Sequence, residues 1–207
     1  MKTTKEWAKL LNISVEEDLA PIPDFSKPYA RSARDVAVRA VILQGVVAVA
    51  CEVEPQPVVA WFQEQEIWSG VTPRERDFLL SSSNTESEQN QFQWKQEAEW
   101  ALLWMAGKVE SLGLPTHQCD SRRLVDEIIP ALGGDIRVFV ESAKLRSPGA
   151  LLAEDDRTYD LWCHVHLARR KGEELPKDLN LGVLKEWRYA FEWMDGFQAW
   201  DDVTCDA

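Results

Sequence analysis

The 207-residue chain is poor in the side chains that most often carry catalysis or bind metals. It has three histidines and four cysteines. It lacks a Gly-x-Ser-x-Gly elbow, a phosphate-binding glycine loop, a dinucleotide fingerprint and a His-Glu-x-x-His helix. The cysteines are scattered without a Cys-x-x-Cys pair, so the usual zinc-binding spacing is missing. The sequence therefore favours no particular enzyme class, and we expect no cofactor.

Positive charge and long apolar runs are also scarce. Lys and Arg number 23 against 35 Asp and Glu, which gives a net charge of −12. Because binding to phosphates needs a basic surface, we expect no nucleic-acid partner. The most apolar stretch, residues 40–51, is too short to cross a bilayer, and the N-terminus lacks the apolar run of a signal peptide. We expect a cytoplasmic protein with reduced thiols and no membrane partner.

Two short motifs suggest metal chemistry at first sight. In Cys163-His164-Val165-His166 only the first and last side chains share a helix face, so we expect no metal site there. The acidic groups 154–156 and 201–202 offer oxygen ligands or an acid–base pair, but acidic residues also begin helices and face water. We favour acidic residues that face water, and a metal or acid–base site remains the alternative.

Tryptophan is abundant, with ten residues. Trp94, Trp100 and Trp104 fall in one predicted helix, and three more lie in the last twenty-odd residues. A buried indole brings a large apolar area and one N–H group that needs a partner. The composition therefore predicts an aromatic core that contains a few paired polar groups.

Caps, prolines and glycines predict a single all-α domain of about eight or nine helices. The predicted helices lie near residues 4–12, 32–53, 58–68, 73–81, 86–112, 121–132, 135–146, 148–171 and 181–195. Residues 1–29 are predicted to be an arm packed on a domain formed by 30–207. Residues 46–50 and 136–140 also have the composition of strands, so a strand is the alternative there. The 86–112 helix is apolar nearly all round in its middle, which predicts a central position.

Glu97 and Glu186 are the most informative acidic residues, because each lies beside tryptophans on an apolar helix. If buried, each needs a cationic or N–H partner or must hold a proton. Lys95, Arg31, Arg39 and indole N–H groups are the available donors. The remaining members of this candidate polar network or pocket are Trp104, Trp193, Trp200, Asp201, Asp202 and Asp206.

Five blocks of sequence carry a resemblance to a known family. They are Arg31-Ser32 with Asp35 and Arg39; Trp94-Lys95-Gln96-Glu97 with Leu102-Leu103-Trp104 and Gly107; Leu145-Arg146-Ser147 with Asp156, Tyr159 and Trp162; Glu186, Ala190 and Trp193; and Trp200-Asp201-Asp202-Val203 with Asp206. In order and spacing they resemble the bacterial family called domain of unknown function 4272, over roughly residues 30–207. The resemblance implies an α-helical, cytoplasmic domain and no activity.

The chain departs from the family pattern at four of these positions. Lys95, Trp187 and Asp160 stand where arginine is usual, and Ala207 where threonine is usual. Lysine cannot reproduce the bidentate contact of a guanidinium, so a ligand site shared by the family would be altered here.

Two functions remain open at this point. The leading hypothesis is a protein-interaction or adaptor module for a basic protein partner, because acid is in surplus and aromatic residues are enriched in interfaces. The alternative is an enzyme or a small-ligand or metal binder with a tryptophan-lined pocket that bears carboxylates.

Overall fold

The computed structural model describes residues 30–175 and 179–205, and over these residues it contains eight α-helices and no strand. The all-α prediction is confirmed. The helices are α1 (Ala33–Ala50), α2 (Pro55–Glu64), α3 (Pro73–Leu80), α4 (Glu86–Met105), α5 (Ser121–Arg123, continued as a π-turn over Leu124–Ile128), α6 (Arg137–Glu141), α7 (Pro148–Lys171) and α8 (Leu181–Asp195). Single 3₁₀ turns lie at Trp68–Gly70 and Trp200–Asp202. The predicted arm at 1–29, with its helix at 4–12, lies outside the described residues.

Helix starts follow the capping signals of the sequence. Ser32, Thr72 and Thr85 each accept the backbone N–H of an acidic residue three positions on, whose carboxylate accepts the N–H of the cap residue in return. This exchange satisfies two donors that the first turn leaves unpaired, so α1, α3 and α4 begin at these residues.

The tryptophan-bearing helix α4 is the centre of the fold, as predicted. It packs most extensively against α1 and next against α8, which also contacts α7. Its Ala98, Leu102, Leu103 and Met105 have no solvent exposure. The strand alternative is wrong, since residues 46–50 and 137–140 are helical.

Helix α4 ends at Met105, seven residues before the predicted end. Gly107 adopts a left-handed φ of 71°, which glycine accepts without strain and which stops the helix. The guanidinium of Arg146 then donates to the carbonyl oxygens of Trp104 and Glu110, both at 2.8 Å. The Trp104 carbonyl oxygen at the end of α4 is thus bound by a residue 42 positions further along the chain, which a local pattern does not reveal.

The helices predicted at 121–132 and 135–146 are shorter in the structure. The first closes in the π-turn just before Pro130. The second ends at Glu141, after which the Lys144 N–H donates to the Ala106 carbonyl oxygen at 3.1 Å. Over the described part of the chain, no helix combines the length and apolar content that a membrane crossing needs.

Candidate functional site

Most of the predicted polar residues meet around one closing segment, residues 199–203, which crosses α1, α3, α4 and α8. The residues that converge there are Arg31, Arg39, Lys95, Glu186, Trp193, Trp200 and Asp201. Indole rings and oppositely charged side chains from several helices therefore meet at this point of the fold.

Lys95 of α4 and Glu186 of α8 form an ion pair between the two helices. Lys95 Nζ lies 2.8 Å from Glu186 Oε2, with 16% and 7% of the two side chains exposed. The same ammonium lies 3.5 Å from the ring centroid of Tyr189, a cation–π contact. Desolvation by burial lowers the pKa of Lys95, and the Glu186 carboxylate partly offsets that effect. Glu186 is thus held by a counter-charge, as the sequence predicted.

Trp200 anchors the closing segment. Its ring lies 4.9 Å from Tyr189 and 5.4 Å from Trp193, both edge-on, and the Arg39 guanidinium lies 5.0 Å from its centroid. The Tyr189 hydroxyl donates to the Trp200 carbonyl oxygen. The next residue, Asp201, accepts the Arg74 N–H at 3.0 Å, at the start of α3. A carboxylate there complements the helix dipole, so Asp201 has a structural partner.

A buried ion pair that the sequence did not reveal lies beside Trp200. Arg39 Nη2 contacts Glu75 Oε1 at 2.5 Å, with 4% and 1% of the side chains exposed. Glu75 was identifiable only as the third residue of the α3 capping box, and its Oε2 does accept the Thr72 N–H at 2.9 Å. Arg39 also donates to the Gly70 carbonyl oxygen at 3.2 Å. The pair fastens α1 to α3.

Next to this pair lies a cleft of about 580 Å³, which we call the arginine cleft. It lies between the first half of α1, residues 66–73 and the closing segment. Its charged and aromatic lining residues are Arg31, Arg34, Asp35, Arg39, Glu66, Arg76, Trp193 and Trp200. Arginines outnumber carboxylates here, the reverse of the balance over the whole chain.

Two of these arginines are fixed by carbonyl groups and not by acids. Arg31 donates to the carbonyl oxygens of Trp193 at 3.2 Å and Gln198 at 2.5 Å, and its guanidinium lies 4.6 Å from the Trp193 ring centroid. Arg76 donates to the Trp68 carbonyl oxygen at 2.9 Å. Carbonyl groups hold a guanidinium in place without neutralising it. The positive charge of this cleft is therefore kept.

Arg34 is a further arginine that lines the cleft. It is solvent-exposed on α1, and over residues 30–175 and 179–205 neither it, Arg31 nor Arg76 has a carboxylate within ion-pair distance. Arg34 and Arg76 were not among the predicted site residues. The sequence did not indicate that Arg76 lies near Arg31 and Arg39, because Arg76 belongs to a different helix.

Of the other predicted members, Glu97 and Trp104 make their contacts elsewhere in the fold. Glu97 accepts the Cys119 N–H at 2.9 Å, and its other carboxyl oxygen, Oε2, is buried without a hydrogen-bond partner among the described residues. Burial raises the pKa of the Glu97 carboxyl. Trp104 packs on Arg146 and Phe191. Asp202 is exposed beside the network. Asp206 lies outside the described residues.

Helix α4 contains a further buried acid, Glu99, which was not among the predicted site residues. Glu99 has no solvent exposure, and among the described residues neither carboxyl oxygen has a hydrogen-bond partner. Burial raises its pKa well above the ordinary value, because the charged form is disfavoured in an apolar surrounding. A lone acid in the apolar run 98–105 was the available signal.

The described residues contain no cluster of side chains that could bind a metal ion. Within the two described ranges, no three His, Cys, Asp or Glu side chains come close enough together to bind a metal ion. The four cysteines, all described, are free thiols.

Comparison with known proteins gives a family and no activity. The family model described as domain of unknown function (DUF4272) matches residues 1–203, so the chain belongs to that family. The resemblance inferred over 30–207 is confirmed, and the match extends to the first residues. No curated protein and no solved structure matches the chain.

Proposed function

Because the family name assigns no activity, we propose from the geometry that the domain binds a small anionic ligand in the arginine cleft. The observation that carries this proposal is the presence of three guanidiniums, those of Arg31, Arg34 and Arg76, without a carboxylate partner among the described residues. In a chain of net charge −12, such a surplus of positive charge within one cleft is a local reversal.

The cleft supplies what anion recognition requires. Guanidinium groups match carboxylate and phosphate oxygens in geometry, and their hydrogen bonds to an anion are charge-assisted. Arg31 and Arg76 are already oriented by backbone carbonyls, so less side-chain entropy is lost when a ligand binds. The pocket differs from the carboxylate-bearing one expected from sequence, since its free charges are basic.

The test compares two single-charge removals in the full chain. Arg34 is exposed and makes no hydrogen bond or ion pair among the described residues, so Arg34→Ala removes cleft charge at little structural cost. The matched control is Arg122→Ala, because the Arg122 side chain is 91% exposed and does not line the cleft. The probes are inorganic phosphate, pyrophosphate, citrate and ATP. Their binding is measured by calorimetry and by thermal unfolding.

At least one probe should stabilise the native protein. At a concentration of about 100 times Kd, a ligand adds about 2.7 kcal/mol to the free energy of unfolding. For a domain of this size, that corresponds to a rise in Tm of roughly 5–11 °C. Arg34→Ala should raise Kd about tenfold or more, as expected for one charged hydrogen bond, and Arg122→Ala should not. Equal effects of the two variants, or no response to any probe, contradict the proposal.

Docking of a basic protein partner is the second candidate. Phe197, with 88% of its surface exposed, lies in the loop after α8 between Asp195 and the Asp201-Asp202 pair. An exposed aromatic side chain flanked by acids suits a basic partner, since aromatic residues often anchor interfaces. A pulldown should recover a stoichiometric basic protein with the wild type and with Val138→Ala, another exposed apolar position. The same protein should be lost with Phe197→Ala, and its retention argues against this surface.

We also propose that the protein is bacterial and cytoplasmic. Four free thiols, two of them partly buried and one fully buried, are typical of a reducing compartment.

A further inference from the structure

A second cleft lies between α4 and the first turns of α8, on the side of Lys95 away from the arginine cleft. Its volume is about 440 Å³, and it is lined by Gln91, Trp94, Lys95, Gly182, Lys185 and Glu186. None of these residues lines the arginine cleft. We call this second depression the α4–α8 cleft.

We propose that the α4–α8 cleft binds a small zwitterion, a free amino acid with an apolar or aromatic side chain. The charges in the cleft are mixed, in contrast to those of the arginine cleft. Two ammonium groups, those of Lys95 and Lys185, and the carboxylate of Glu186 face the same space. A ligand with charge of a single sign therefore meets a like charge on one of its sides.

The cleft offers binding groups for both ends of such a ligand. Lys95 Nζ holds Glu186 Oε2 at 2.8 Å, and Glu186 Oε1 has no hydrogen-bond partner among the described residues. That oxygen can accept from a ligand ammonium. For the ligand carboxylate, Lys185 is an exposed cation, and Gln91 offers its amide N–H₂ because Arg74 already occupies the amide oxygen. Charge-assisted hydrogen bonds at both ends give a zwitterion its advantage.

The wall of the cleft suits an apolar side chain. The six-membered ring of Trp94 lies directly on the backbone of Gly182, where a Cβ would come within 2.5 Å of Trp94 Cζ3. Trp94 is only partly buried, so part of its ring is left for a ligand. A volume of about 440 Å³ is sufficient for a single amino acid.

The experiment uses the full-length protein and three probes that share the same phenyl group and differ in their charged groups. L-phenylalanine carries both charges, 3-phenylpropionate lacks the ammonium and phenethylamine lacks the carboxylate. Calorimetry should show binding of L-phenylalanine, and each comparator should bind about tenfold more weakly or worse, the usual effect of one charged hydrogen bond. Equal affinity for the three probes, or no heat from L-phenylalanine, overturns the proposal.

Two variants assign the binding to this cleft. Lys185→Ala should weaken L-phenylalanine binding about tenfold, whereas Lys144→Ala, the removal of another exposed lysine, should not. Gly182→Ala should reduce binding further, because its methyl group displaces the Trp94 ring. If Gly182→Ala does not fold, the Lys185 and Lys144 pair still decides the question. Undiminished binding by Lys185→Ala overturns the assignment.

The two clefts are distinguished by their rim cations. Arg34→Ala should leave L-phenylalanine binding unchanged, and Lys185→Ala should leave anion binding in the arginine cleft unchanged. A loss of L-phenylalanine binding in Arg34→Ala places the ligand in the wrong cleft and overturns this inference, while the proposal for the arginine cleft is judged by its own probes.

Discussion

Replacement of Arg39 should be among the most destabilising single changes in the protein. Arg39→Met keeps most of the aliphatic length of the side chain but removes the cation, which leaves Glu75, with 1% of its side chain exposed, without its ion-pair partner. Breaking a buried ion pair from one side costs about 3–5 kcal/mol. For a domain of this length, that predicts a fall in Tm of roughly 6–20 °C.

A double-mutant cycle separates the lost pair from the other contacts of Arg39. Arg39 also donates to the Gly70 carbonyl oxygen and lies 5.0 Å from the Trp200 ring centroid, so part of the loss has nothing to do with Glu75. Glu75→Gln keeps an oxygen for the Thr72 N–H and removes the stranded charge. Combined with Arg39→Met, it should therefore recover about 2 kcal/mol relative to additivity.

Urea unfolding of the four proteins measures the cycle. Arg122→Met is the control, because an exposed arginine should change the free energy of unfolding by less than about 0.5 kcal/mol. The reasoning fails if Arg39→Met costs under about 1 kcal/mol, or if the two substitutions are additive.

Two further predictions concern packing and protonation. Gly45→Ala places a methyl group 2.8 Å from Phe62 Cε1 and should cost about 1–3 kcal/mol by urea unfolding, whereas Gly149→Ala, with nothing within 4 Å, should be neutral or stabilising. Since burial raises the pKa of Glu99 in the folded state, the native protein binds a proton that the unfolded chain releases, and wild-type stability should fall as the pH rises between these two pKa values. Glu99→Gln should remove that slope in parallel unfolding curves from about pH 5 to about pH 8, and an unchanged slope contradicts the assignment.

The helices whose boundaries were predicted accurately are those with strong local signals at both ends. Helix α7 starts after Ser147 with a proline in its first turn and ends at Gly172, and both signals act within a few residues. Helix α4 was predicted too long, because the left-handed turn at Gly107 stops it within the predicted span. Arg146 then donates to the Trp104 carbonyl oxygen from 42 positions further along the chain. Local patterns record propensity and capping, while a distant guanidinium that binds carbonyl groups leaves no trace in them.

The candidate site was predictable where a buried charged residue requires a partner of opposite charge. A glutamate among tryptophans needs a partner, and Glu186 has one in Lys95. The same logic applied to Glu99 predicts a buried acid, but it does not indicate that the carboxyl lacks a partner among the described residues. The arginine cleft was out of reach, because Arg31 and Arg76 lie on separate segments that only the fold brings together.

Trp200 and Tyr189 contact cations that line both clefts, and this explains why Arg39 and Lys95 are poor reporters of function. Arg39 lines one cleft and touches Trp200 from α1, while Lys95 lines the other and touches both rings from α4. Replacing either cation disturbs the closing segment as well as a cleft, so a lost ligand and a lost fold would look alike. Arg34 and Lys185 make no such contacts among the described residues. A loss of binding at these rim positions with an unchanged free energy of unfolding is therefore the result that separates recognition from architecture.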